Sequence, residues 1–274
     1  MKKVIPLLFL LVFVNFTFAQ KKPKIQGSKN VIETSNTLAS FKAIELSEDI
    51  VVNIFQGEAT RYTLKCDDNL VDFIKFEIVD ETLKIYTTHE IRRAKALEIN
   101  LTVLNISSIT LKENSKLTCK TRLKLDTLSF TAFDESEYNI DVFAESSNFQ
   151  LYKSTKGKIQ LKGQNTKFTL IENAYIEGDI VLENIEIIAK DRTDVEVEGD
   201  VKFLKLTTSN SSDVDLKKLK CSTIEAITSD SSEAYIFSNG EMKLSNSDKS
   251  KVYIYGNPSI SIDRLKDNAQ IIKK

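Results

Sequence analysis

The chain is poor in the residues that build chemistry. Its 274 residues include one His, three Cys and no Trp. One imidazole and three scattered thiols leave little for a His-dependent triad or a Cys/His zinc site. The net charge is -1, from 38 Lys+Arg against 39 Asp+Glu. The basic excess that meets a phosphate backbone is missing, which argues against nucleic acid as a partner. Eight Gly and three Pro are few for a chain of many turns, so other residues must make those turns. What is present is a 41% hydrophobic content, enough for a folded core.

Residues Met1–Gln20 open with Lys2 and Lys3, run apolar from Val4 to Val14, and end in Thr17-Phe18-Ala19. That order predicts a secretory signal peptide over 1–19, cleaved after Ala19. No Cys precedes Cys66, so no lipid attaches at the new N-terminus, and no later segment is apolar enough to span a bilayer. The expected location is periplasmic or outer-surface/extracellular. Cys66, Cys119 and Cys221 read as small buried hydrophobes, with one disulfide plus a free thiol as the alternative.

From about residue 126 the chain repeats. Taking Ile140, Ile159, Ile176, Val195, Val214, Ala234 and Val252 as anchors gives gaps of 19, 17, 19, 19, 20 and 18. Two residues on stand Val142, Leu161, Gly178, Val197, Leu216, Ile236 and Ile254, with a polar or amphipathic residue between. This is the alternation of a strand with one buried face. A second apolar pair precedes each anchor, from Leu128/Phe130 to Met242/Leu244. Between the two strands lies a polar corner. Ser136, Thr155, Glu172, Asp191, Asn210, Asp230 and Asp248 stand four residues before the anchors, with mostly small residues two residues before them. Ser, Asn and Asp can bond their own backbone and hold a turn without glycine.

Stacked two-strand units share one core that none could bury alone. The reading is an all-β chain, a single-stranded right-handed parallel β-helix with coils of about 19 residues. A sandwich of hairpins is the alternative, disfavoured because Asn239-Gly240 is the single Asn-Gly or Asp-Gly pair in the sequence. The expected organisation is a loose lead-in over 20–37 and one domain over 38–274. That domain has an irregular capping part over 38–125, regular coils over 126–262 and a charged closing segment over 263–274. Such a segment is expected to resist end-to-end pairing. Asn69 to Phe76 reads as a helical turn or two, or a bulged strand.

The chain resembles the family of putative auto-transporter adhesins with a head GIN domain, exported β-helical proteins common in Bacteroidetes. The likeness runs through Phe41-x-x-Ile44, Ile50 to Gly57, Asp68-Asn69-Leu70, Leu83-x-Ile85, Leu97 to Val103 with Ile109, and Val252 to Pro258. Two features depart from it. The coil turns read Asn210-Ser211-Ser212-Asp213 or Asp230-Ser231-Ser232-Glu233 instead of Ser-Gly-Ser-Gly, and Leu104-Asn105 stands where a proline is usual. The resemblance implies an exported β-helix and brings no catalytic residues.

Three surface features are candidates. Asp213, Asp230 and Asp248 could share a calcium ion from neighbouring coils, against a solvated row of turn-formers. Tyr235, Tyr253 and Tyr255 could form a contact surface for a sugar or protein, against cross-strand tyrosines that merely shield a sheet. His89, with Arg92, Arg93 and Lys95, reads as a solvated loop. The resulting expectation is a non-enzymatic solenoid without cofactor, metal or catalytic site. It acts by surface contact on an unidentified protein or glycan of the envelope, and oligomers are allowed. The rivals are a glycan-active β-helix enzyme and a periplasmic scaffold or quality-control partner.

Overall fold

The computed structural model describes residues 22–274; the expected leader over 1–19 lies outside them. The chain winds into a β-solenoid of about nine turns. Long strands Glu137–Tyr152, Lys156–Glu172, Tyr175–Asp191, Asp194–Asn210, Asp213–Thr228 and Glu233–Asn246 each make most of one coil. Each pairs in parallel with the next.

The register corrects the repeat. Tyr138, not Ile140, aligns with Gly157, Ile176, Val195, Val214, Ala234, Val252 and Ile271. The gaps become 19, 19, 19, 19, 20, 18 and 19, and the interval of 17 disappears. Apolar residues at every second position left the sequence blind to a slip of two, which preserves facing. The interval of 20 enters at a register shift between Glu196 and Gly199, and that of 18 follows from the shifts between Leu216/Lys220 and Cys221/Thr223.

With the register right, both corner rows become uniform. Ser136, Thr155, Ala174, Thr193, Ser212, Ser232 and Ser250 form one small-residue row, all buried. Asp134, Lys153, Glu172, Asp191, Asn210, Asp230 and Asp248 form the turn row, all at positive φ. Asp and Asn reach that region most easily among non-glycines, so they stand in for the missing glycines. Ser136, Ser212, Ser232 and Ser250 then donate their hydroxyls to the carbonyl three residues back.

The core is a column of like side chains. One inward row runs Phe130, Phe149, Phe168, Ile187, Leu206, Ala226 and Leu244, all buried. Phe149 stacks on Phe168 at 4.8 Å between ring centroids. Each such side chain contributes about 1.5–3 kcal/mol by leaving water. A row of hydroxyls lies beside it: Thr208 bonds Ser232 at 2.9 Å and Thr228 donates to Ser250 at 3.1 Å.

The N-terminal region differs from its expectation. The stretch read as a loose lead-in carries two strands, Lys24–Gln26 and Val31–Thr37. The second pairs antiparallel with Arg61–Asp67. A 3-10 turn over Asp68–Phe73 buries Leu70 completely, and the chain leaves it as the strand Ile74–Val79. Asp67 ties these pieces together. Its carboxylate accepts the amides of Lys29 at 2.9 Å and of Lys95 and Ala96 at 3.1 Å. Burial pushes that carboxyl up, but the three amides and the Lys95 charge outweigh it and hold it below the usual carboxylate range.

All three cysteines are free thiols, Cys66 and Cys221 buried and Cys119 half-buried. Burial pushes the Cys119 and Cys221 thiols up to about 12, the behaviour of inert packed cysteines.

Candidate functional site

The outward side of one sheet carries a single row across the coils: Lys158, Glu177, Glu196, Asp215, Tyr235 and Tyr253. Each stands between two inward-phase residues of its strand, buried in every case but the half-buried Gly178 beside Glu177, so alternation alone points it to solvent. The parallel register then sets each beside its counterpart one strand spacing away.

At the aromatic end, the rings of Tyr235 and Tyr253 lie 4.5 Å apart and 7° from parallel. Lys217 sits 6.0 Å from the centre of the Tyr235 ring and Lys274 sits 5.3 Å from that of Tyr253. Cations at such distances are attracted by the ring faces. Each ring therefore has one face against its partner tyrosine and a lysine against it as well. What the pair offers outward is ring edge and hydroxyl, not the flat face a stacking sugar needs. The Tyr235 hydroxyl donates to Glu233 at 2.9 Å, and Lys251 donates to the same carboxylate at 2.8 Å. Lys251 and then Tyr235 hold the Glu233 carboxyl below its usual range against the opposing effect of burial. Tyr255 lies on the same side two residues on, but its lateral neighbour is Phe237. The structure thus joins Tyr235 to Tyr253 and sets Tyr255 apart.

The acidic end forms a shallow groove of about 530 Å³, lined by Lys158, Glu177, Glu196, Asp215 and Lys217. Glu177 is paired with Lys158, and Asp215 with Lys217. Asp213 heads the same strand as Asp215, flanked in register by Asp194 and Glu233. Burial, then Asp194 and Glu233, push its carboxyl up.

The three candidate calcium ligands do not converge. Asp248 accepts the amide of Asp230 at 3.3 Å, and Asp230 accepts that of Asn210 at 3.1 Å. Their carboxylates are spent on the backbone of the preceding coil, and Asp213 stands on the strand beyond the corner. Among the described residues no group of three or more His, Cys, Asp or Glu is placed to hold a metal. His89 tilts against Phe73 at 4.2 Å and contacts the Thr88 hydroxyl, so it packs in its turn. Sequence reasoning missed the acidic groove. Its signal was the outward phase of Glu177, Glu196 and Asp215, which becomes one row only once the register is known.

Comparison with known structures agrees with the coil architecture. A putative lipid binding protein from Parabacteroides distasonis superposes with a TM-score of 0.64 at 15% identity, over 92% of this chain and 99% of its own. A putative adhesin from the same organism gives 0.63 at 14%, over 92% and 100%. One from Parabacteroides merdae gives 0.61 at 12%, over 92% and 99%. At these identities the likeness shows the fold alone. No curated protein matches the chain. The family model described as putative auto-transporter adhesin, head GIN domain, matches residues 40–258. That match begins after the strand Val31–Thr37 and ends before the strand Ser259–Leu265, covering most of the chain between, and the chain belongs to this family.

Proposed function

We propose that the protein is an exported, non-enzymatic contact module that holds a partner at the cell envelope or surface. The outer row from Glu177 to Tyr253 is its contact face. The observation that carries this reading is the Tyr235–Tyr253 pair, fixed between Lys217 and Lys274 on a rigid sheet. Tyrosines held in one orientation lose little entropy on contact and present both apolar edge and hydroxyl. Because the ring faces are engaged, a protein partner fits better than a stacked glycan. Of the adjoining carboxylates Glu177 and Asp215 are already paired with lysines, which leaves Glu196 to favour a basic side chain on that partner. Family membership supports an adhesin-like role, and a shallow groove without a catalytic set supports contact over turnover.

The test is binding of the labelled protein to intact source cells and to envelope fractions, wild type against Tyr235→Ala/Tyr253→Ala and Glu196→Lys. Both variants should keep the far-UV circular dichroism of the parent and lose most binding. Undiminished binding would remove the face from consideration. A glycan array run in parallel should stay blank; a hit lost in the tyrosine variant would make the partner a sugar. Protease shaving of intact cells, against a periplasmic control, reads the location.

A further inference from the structure

The two ends of the solenoid are built differently. At the N-terminal end the core column is covered, although each outermost strand there has a single described strand partner. Antiparallel strands Val31–Thr37 and Ile74–Val79 make its outermost rows, Tyr62 stacks on Phe76 at 3.7 Å, and Leu70 is fully buried beneath the 3-10 turn. At the other end the last coil carries strands Ser259–Leu265 and Gln270–Lys273. Strand Ser259–Leu265 pairs on one side with Glu233–Asn246, and no described strand pairs with its other side.

The last coil nevertheless continues the core. Ile262 extends the row of Phe130 to Leu244, and Ile260 extends that of Ile224 and Met242. Leu244 and Met242 are 0% and 2% exposed, whereas Ile262 and Ile260 are 50% and 41% exposed. Leu265, level with buried Asn246, is 49% exposed. A register shift after Ile262 leaves Asp263 as the extra residue and puts Arg264 level with Ser245. It therefore sets Arg264 outward and Leu265 toward the core side. The last coil thus presents three core-type side chains, with Leu265 among them in the segment 263–274 expected to resist end-to-end pairing, beside an open row of backbone donors and acceptors.

We propose that this end is the interface for a second copy of the chain, two solenoids meeting at their C-terminal ends about a two-fold axis with the strands Ser259–Leu265 antiparallel. The sequence of the strand is self-complementary in one register. With the axis between Asp263 and Arg264, Ile262 faces Leu265 of the second copy on the core side. On the outer side Asp263, which also pairs with Lys243 of its own chain at 3.0 Å, faces Arg264 of the second copy. The symmetry makes each contact twice. Opposite-charge and apolar cross-strand pairs are the units that stabilise such a ladder. A two-fold contact uses the C-terminal end of both copies, so the assembly closes at two. This proposal is independent of the tyrosine face, which lies on the flank of the solenoid.

Sedimentation velocity of the full chain across the micromolar range tests it. A monomer–dimer equilibrium is expected. Ile262→Asp should shift it to monomer while the far-UV circular dichroism stays unchanged. Should that variant fail to fold, the charge pair still decides. Asp263→Arg and Arg264→Asp should each weaken the dimer about tenfold, and the double reversal should recover most of the loss. A chain that is monomeric at every concentration overturns the proposal, as does growth into larger assemblies. A dimer indifferent to all four variants places the interface elsewhere and also overturns it.

Discussion

Gly157 is the floor under the ring of Tyr138. A Cβ at position 157 would stand 2.0 Å from two carbons of that ring. The two are lateral neighbours in a row that also holds Leu117, Ile176, Val195, Val214, Ala234, Val252 and Ile271. A large and a small residue here replace two medium ones, keeping the volume of the column. Gly157→Val should lower stability by about 3 kcal/mol, at the upper end of what overpacking costs. Tyr138→Val/Gly157→Val should recover most of it. Chemical denaturation of the two single variants and the double variant measures the coupling, and additive losses would contradict the pairing.

Acid should loosen the N-terminal cap first. The Asp67 carboxyl is held below its usual range in the folded chain, so its contribution is complete above the unfolded value. It fades as pH falls through the folded one. Amides of the strand Val31–Thr37 and of residues 94–96 should therefore lose hydrogen-exchange protection in acid before those of the coils from residue 137 onward. Asp67→Asn should show the same local loss already at neutral pH. Equal protection throughout would argue against Asp67 as the tie.

Asn246 is the one member of its row whose side chain finds nothing to bond. Thr208 and Thr228 meet Ser232 and Ser250 on the following coil, whereas both polar atoms of buried Asn246 lack a partner. The position on the next coil equivalent to Ser232 and Ser250 is Ala269, whose amide makes the same turn bond to the residue three back. Ala269→Ser would supply the missing hydroxyl and should raise stability by about 1 kcal/mol. Thermal melts of the single variant decide this, and an unchanged midpoint would mean that the hydroxyl does not reach.

Calcium should leave the corners indifferent. Asp230 and Asp248 act as acceptors for amides of the coil before them, a role asparagine can fill with its own oxygen. Asp230→Asn/Asp248→Asn should melt within a degree or two of the parent, as hydrogen-bonded surface changes usually do. Melting in calcium and in chelator should coincide for both proteins. A calcium-dependent rise present in the parent and absent in the variant would restore the metal reading.

Much of this architecture was legible because solenoid strands advertise themselves. Alternation from Phe130 to Ile254 marks buried and exposed faces, and turns rich in Asp, Asn and Ser mark the corners at near-constant spacing. The pairing register was less legible. Choosing Ile140 over Tyr138 preserves the inward phase, and Gly157 looks like a turn residue until the ring above it is seen. The acidic groove shares that cause, since Glu177, Glu196 and Asp215 are unremarkable in their own strands.

The amino-acid sequence alone determined that the chain is a β-solenoid with coils near 19 residues, since side-chain facing and turn chemistry are local properties. It also placed Tyr235 and Tyr253 on the outer side. The tertiary structure decided which residues share a rung, that strands Lys24–Gln26 and Val31–Thr37 belong to the cap, and that the core column is covered at one end and exposed at the other. Those outcomes depend on contacts between residues far apart in the chain. Parallel stacking lets any coil slide by two residues without exposing its core, and only the fit of particular pairs, Gly157 beneath Tyr138 foremost, removes that freedom.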